Sequence, residues 1–88
     1  MANHKKTLHD IFTDPVKADV EFNDFCKLVN HLGGEQKEGK GSRVRFKLNT
    51  RKMVFHKPHP NKEMCKGAVK SARDFLTGAG ISMNTLDD

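Results

Sequence analysis

Two stretches of this chain carry side chains whose types and spacing could do chemistry. The first is His56-Lys57-Pro58-His59-Pro60. An imidazole has an unperturbed pKa near 6.5, so it both takes and gives protons around neutral pH. The second is Arg43-Val44-Arg45-Phe46-Lys47-Leu48, in which cations alternate with apolar residues. Three cations at every second position of a strand stand on one face and can follow a phosphate backbone. Cleaving RNA without a metal requires a base for the ribose 2′-OH proton and an acid for the departing 5′-oxygen. It also requires cations to offset charge on the phosphorane. Two histidines beside Arg43, Arg45 and Lys57 contain those parts. Other readings of the same residues stay open. A loop histidine is often only a solvated loop residue, and alternating cations also keep an exposed edge strand soluble. His56, His59 and Cys65 have metal-ligand chemistry, but three ligands at this spacing match no known zinc pattern. No metal or other cofactor is expected.

The elements that must position these residues follow from apolar periodicity. Phe22, Phe25, Cys26, Val29 and Leu32 recur at steps of three or four, which predicts an amphipathic helix over 20–32 closed by Gly33-Gly34. Cys26 lies on that apolar stripe as a small core residue. His31, at the helix end, fits as a cap favoured by the helix dipole. Residues 35–41 are polar and read equally as a short edge strand or a loop. Val44, Phe46 and Leu48 then face a core, and Asn49-Thr50-Arg51 makes a turn. The next strand, 52–57, puts Met53 and Phe55 on one face and Val54 and His56 on the other. Pro58 and Pro60 end it. A second helix is predicted over 66–79, with Val69, Ala72, Phe75, Leu76 and Ala79 inside. Its other face carries Lys66, Lys70 and Arg73 at i, i+4 and i+7, which adds cations on a second element. Gly67, near its start, can leave backbone N–H groups open to a phosphate. Helices covering one face of two or three antiparallel strands make a two-layer α+β domain. Residues 1–19, with the apolar cluster Leu8, Ile11, Phe12 and Val16, are expected to be one loose helical turn or an N-terminal arm packing on the domain. Residues 20–81 are the domain, and 82–88 a loose tail.

Composition sets limits around this picture. The chain has 88 residues and a formal net charge of +5. That length allows one core and no Rossmann or barrel enzyme. It can hold an RNA-facing sheet but no deep pocket. The charge is unevenly spread: −2 over residues 1–38, +10 over 39–73 and −3 over 74–88. A basic block between acidic ends points to a polyanion as partner, most simply nucleic acid. Tyr and Trp are absent and most of the six Phe sit at expected core positions. That argues against a base-stacking sheet and favours backbone and shape reading. Two cysteines make no disulfide framework. No apolar segment follows Met1 and none is long enough for a membrane span, so no signal peptide and no membrane partner are expected. The expected location is the cytoplasm.

Taken in order, Leu32-Gly33-Gly34, Gly39-Lys40-Gly41-Ser42-Arg43-Val44-Arg45-Phe46, Phe55-His56-Lys57-Pro58-His59-Pro60, Lys66-Gly67-Ala68-Val69 and Phe75-Leu76 with Ala79-Gly80-Ile81 resemble the HicA toxin family. The resemblance is to the branch with a Gly-Ser-Arg strand and a His-x-Pro-His-Pro loop. It covers residues 20–81. It implies a double-stranded-RNA-binding-domain-like fold, α-β-β-β-α, with a three-stranded antiparallel sheet, helices on one face and a third strand near 35–38. It also implies the toxin of a type II toxin–antitoxin pair, an mRNA interferase acting without metal, and a HicB-family antitoxin that covers the RNA site. Many relatives carry Gly-Ser-His with a catalytic His where this chain has Arg43. Arginine stays protonated and is a poor general base. The expected assignment is therefore His59 as principal acid/base, His56 as its partner and Arg43 on the scissile phosphate. Arg45, Lys47, Lys57, Lys66, Lys70 and Arg73 are the expected RNA contacts. Two alternatives stand beside it: a non-catalytic RNA-binding module of this fold, and an interaction domain for an acidic protein.

Overall fold

A computed structural model describes residues 4–13, 16, 20–58 and 62–85. The elements are α1 (His4–Phe12), α2 (Phe22–His31), β1 (Glu35–Glu38), β2 (Arg43–Leu48), β3 (Arg51–His56) and α3 (Lys66–Gly78). The sheet is antiparallel in the order β1-β2-β3. It is the double-stranded-RNA-binding-domain-like α+β arrangement, helix-strand-strand-strand-helix, preceded by one further helix. Residues 35–38, ambiguous by pattern, pair with β2 along their whole length.

β2 decides which face becomes the core. Val44, Phe46 and Leu48 are buried, while Arg43, Arg45 and Lys47 are exposed. Phe46 makes edge contacts with Phe22 and Phe25 of α2 and Phe55 of β3, at centroid distances of 5.0–6.0 Å. Phe55 continues the cluster to Phe75 of α3 at 6.5 Å. Edge-to-face ring pairs stabilise by about 0.5–1.5 kcal/mol beyond their burial. These rings tie both helices to one side of the sheet.

The N-terminal arm contains a helix. α1 has nine residues, buries Leu8 and Ile11 completely, and lies against both α2 and α3. Its sequence has only one short apolar stripe, so it gains order from packing more than from propensity. His4 stacks on His31 at 4.3 Å, which ties the start of α1 to the end of α2. Beyond Ile81, Ser82 to Thr85 close a hydrogen-bonded turn.

Two glycines at the end of α2 serve different needs. Gly33 takes φ 91°, and the Gly34 N–H bonds the Val29 carbonyl at 2.8 Å, completing a Schellman stop. At Gly34 the limit is space. A Cβ there would lie 2.6 Å from Val29 Cγ1 and 2.8 Å from the Lys47 carbonyl oxygen. The turn joining β2 to β3 is anchored too, because Asn49 (φ 55°) donates from Nδ2 to the Ala79 carbonyl at 2.6 Å. Gly34→Ala is expected to cost about 1–3 kcal/mol through this collision, whereas Gly67→Ala, with open space around its Cβ, costs nothing comparable. Urea denaturation of the two variants checks this; equal midpoints would refute the close-approach account.

Candidate nucleic-acid interface

The face of the sheet opposite the helices is built by register. Lys47 of β2 stands between Glu35 of β1 and Lys52 of β3. Arg45 stands between Lys37 and Val54, and Arg43 is paired directly with His56. All eight side chains are exposed. Five are Lys or Arg, against one carboxylate. Neighbouring strands are about 4.8 Å apart and alternate residues of one strand roughly 7 Å apart, so the cations form a grid. Lys37, Arg45, Lys47, Lys52 and Val54 border a shallow depression of about 520 Å³ on this face. Val54 is the one exposed large hydrophobic residue among the described residues.

His56 ends β3 at one corner of the grid. The Gly39-to-Ser42 loop between β1 and β2, with Gly41 at φ 66°, brings the Ser42 hydroxyl to 3.3 Å from His56 Nδ1. The Lys57 N–H bonds the Ser42 carbonyl at 2.8 Å and holds the same corner from the backbone. Either atom of this contact can be the donor; in the tautomer whose Nδ1–H donates to the Ser42 oxygen, the Nε2 lone pair is the one open to take a proton. Directly opposed residues in an antiparallel pair have Cβ atoms about 4.5–5.5 Å apart. The Arg43 guanidinium and the His56 ring can therefore meet the same phosphate.

The other cations expected to contact RNA are placed elsewhere. The Lys57 ammonium pairs with Glu38 across the end of β2, on the helix side of the sheet. Lys66 and Lys70 are exposed on α3, in the helical layer behind the sheet. Arg73 is half-buried. Its Nε donates to the Ile11 carbonyl at 3.1 Å and its Nη2 to the Thr13 carbonyl at 2.7 Å. Carbonyls at a helix end lack intrahelical partners, and a cation there is favourable. Arg73 therefore caps α1, a structural role that its reading as an RNA contact did not include. The heptad-like spacing with Lys66 and Lys70 was a real helical pattern, but one of its members is used by a helix that the pattern did not reveal. His59 lies outside the described residues. Lys37 and Lys52 join the face without having been singled out; only the strand register shows that they share a side with Arg45 and Lys47.

Cys26 faces the interior, and burial pushes its thiol up to about 11; Lys57 pulls it down by a smaller amount. It stays a neutral core residue at physiological pH. Cys65 is exposed, ahead of α3.

A family model described as the HicA toxin of bacterial toxin–antitoxin pairs matches residues 22–81, more than half of the chain. The chain belongs to the HicA toxin family. The matched span begins at the first residue of α2 and ends just beyond α3, so α1 precedes it. No curated protein and no solved structure matches the chain significantly. As a HicA-family domain the protein is the toxin side of a toxin–antitoxin pair, and an antitoxin is the partner class that fits. No described helix is long and apolar enough to cross a membrane.

The two classes of cation separate by measurement. Arg73→Ala is expected to lower stability by about 1.5–3 kcal/mol, the usual range for hydrogen bonds made by a charged group, while exposed Lys70→Ala stays within about 0.5 kcal/mol. Chemical denaturation decides, and equal small effects would refute the capping role of Arg73.

Proposed function

We propose that this HicA-family toxin binds RNA on the open face of its sheet and cleaves mRNA there without a metal. The observation that carries the reading is the cross-strand pair of Arg43 and His56 at the corner of a five-cation face. Many family members are expected to carry a histidine at the position of Arg43. Here an imidazole stands on the neighbouring strand, directly opposite, so a base for the same phosphate is displaced by one strand and not lost.

In the proposed reaction, one imidazole takes the proton of the ribose 2′-OH. The 2′-oxygen attacks phosphorus and forms the new P–O bond. The P–O5′ bond breaks, and a protonated imidazole gives its proton to the leaving 5′-oxygen. The products are a 2′,3′-cyclic phosphate and a free 5′-hydroxyl. His59 is assigned as principal acid/base on its position in the His-x-Pro-His-Pro loop, with His56 as partner. Arg43 offsets the charge that grows on the non-bridging oxygens. Arg45, Lys47, Lys37 and Lys52 hold the backbone on either side. The reading places the toxin in the cytoplasm, where mRNA is found, with a HicB-family antitoxin covering the cationic face.

Purified protein incubated with mRNA in EDTA is expected to cleave it. The double change His56→Ala, His59→Ala should slow cleavage by about 10²–10⁴-fold, the range for lost general acid–base catalysis. An unchanged rate in the double variant would sink the assignment. The presence of Arg43 in place of a histidine favours one second reading, an RNA-binding module that does not cut. It would give salt-sensitive RNA binding and no cleavage at any protein concentration. In either case, changing Arg45 and Lys47 to Gln should flatten the log–log salt dependence of binding by about 0.7 for each single-strand phosphate that is no longer neutralised. An unaltered slope would place the RNA elsewhere.

A further inference from the structure

A second hollow adjoins His56 on the helix side of its corner. It has a volume of about 380 Å³ and is walled by Phe22 of α2, Phe55 of β3, Met64, Cys65 and Ala68 of α3, with His56 itself at the edge. Phe22, Phe55 and Met64 are nearly buried, at 5%, 5% and 1% exposure, so the wall is apolar and already packed. Backbone bonds hold it in place: Phe22 N–H to the Lys62 carbonyl at 3.0 Å and Met64 N–H to the Val20 carbonyl at 2.7 Å. Lys57 and Glu63 also line it, the Lys57 ammonium being paired with Glu38 and the Glu63 carboxylate an acceptor.

We propose that this recess receives the nucleobase next to the phosphate bound at Arg43 and His56. The proposal rests on the RNA-cleaving reading and names the part of the substrate that would be recognised at the same site. His56 links the two, since it is paired with Arg43 on the open face and also lines the recess. The volume is at the small end of the range for ligand pockets, about 300–1,000 Å³, which suits one base and not a folded RNA element. A base has two apolar faces and a polar edge. Those match an aromatic and thioether wall with the Glu63 carboxylate among its lining groups as an acceptor. The open sheet face provides only Val54 as an exposed apolar surface, so cations hold the backbone there while the recess takes the base.

The test is chemical-shift mapping of the intact protein with three probes: inorganic phosphate, ribose 5-phosphate and each of the four nucleoside 3′-monophosphates. Phosphate and ribose 5-phosphate are expected to shift Ser42, Arg43 and His56 alone. At least one nucleotide should also shift Phe22, Met64 and Ala68, and bind about tenfold more tightly than phosphate. In Ala68→Phe, which fills the recess, the nucleotide should keep the first set of shifts, lose the second and fall to the affinity of phosphate. Nucleotides that shift only the first set in the wild type overturn the recess while leaving the phosphate site standing. Ribose 5-phosphate shifting the second set equally also overturns it, because no base is then being read. Nucleotide shifts at the recess with none at Arg43 or His56 overturn the phosphate placement of the RNA-cleaving reading, and this proposal with it.

Discussion

The alternation of β2 is the constraint on which the rest of the structure depends. Val44, Phe46 and Leu48 point into the core, and Arg43, Arg45 and Lys47 away from it. A slip of one residue would bury three cations and expose Phe46 to water. Charges of that kind are almost never found inside without partners. The period of two therefore sets register strongly. Once β2 is placed, its pairing with β1 and β3 determines which of their side chains join each face. The aromatic cluster around Phe46 and the cationic grid outside are two consequences of one pattern.

Charge marked out a basic segment but was a poor guide to the role of any single side chain. The +10 block of residues 39–73 contains cations doing at least three different things. Arg45 and Lys47 stand exposed on the grid. Lys57 is paired with Glu38, an exposed pair of the kind that contributes roughly 0–1 kcal/mol. Arg73 closes the end of α1. Arg51 is exposed but lies over α3, so close that a Cβ at Gly78 would meet its Nε at 2.5 Å. The Arg73 guanidinium serves two carbonyls at once from donors held in a fixed planar fork, so less freedom is lost per bond than for a flexible lysine ammonium.

The corner around His56 gathers features that the chain supplies from far apart. Ser42 comes from the glycine-containing loop after β1, Arg43 from β2, Cys65 from just ahead of α3 and Ala68 from its first turn. The expectation that so short a domain holds no deep pocket stands beside a modest recess at the edge of the sheet. It forms where α2, β3 and α3 meet without filling the space between them. A hollow of that size needs no large core, only three elements that end near one another.

Much of the fold was legible along the chain. The helical stripes of Phe22 to Leu32 and Val69 to Ala79, the alternation of 43–48 and the glycine stops are local signals, because each element's apolar side repeats with its own period. The short polar strand 35–38 had no such signal and was placed by the family resemblance; its pairing with β2 then brought Lys37 to the face. What tertiary structure alone decided is which side chains share a space. Pairing put His56 opposite Arg43, packing turned a weakly marked arm into α1, and α1 in turn claimed Arg73. These outcomes depend on contacts between residues up to 62 positions apart. Periodicity within one element reports which way a side chain faces, and only the packed chain determines what is there to meet it.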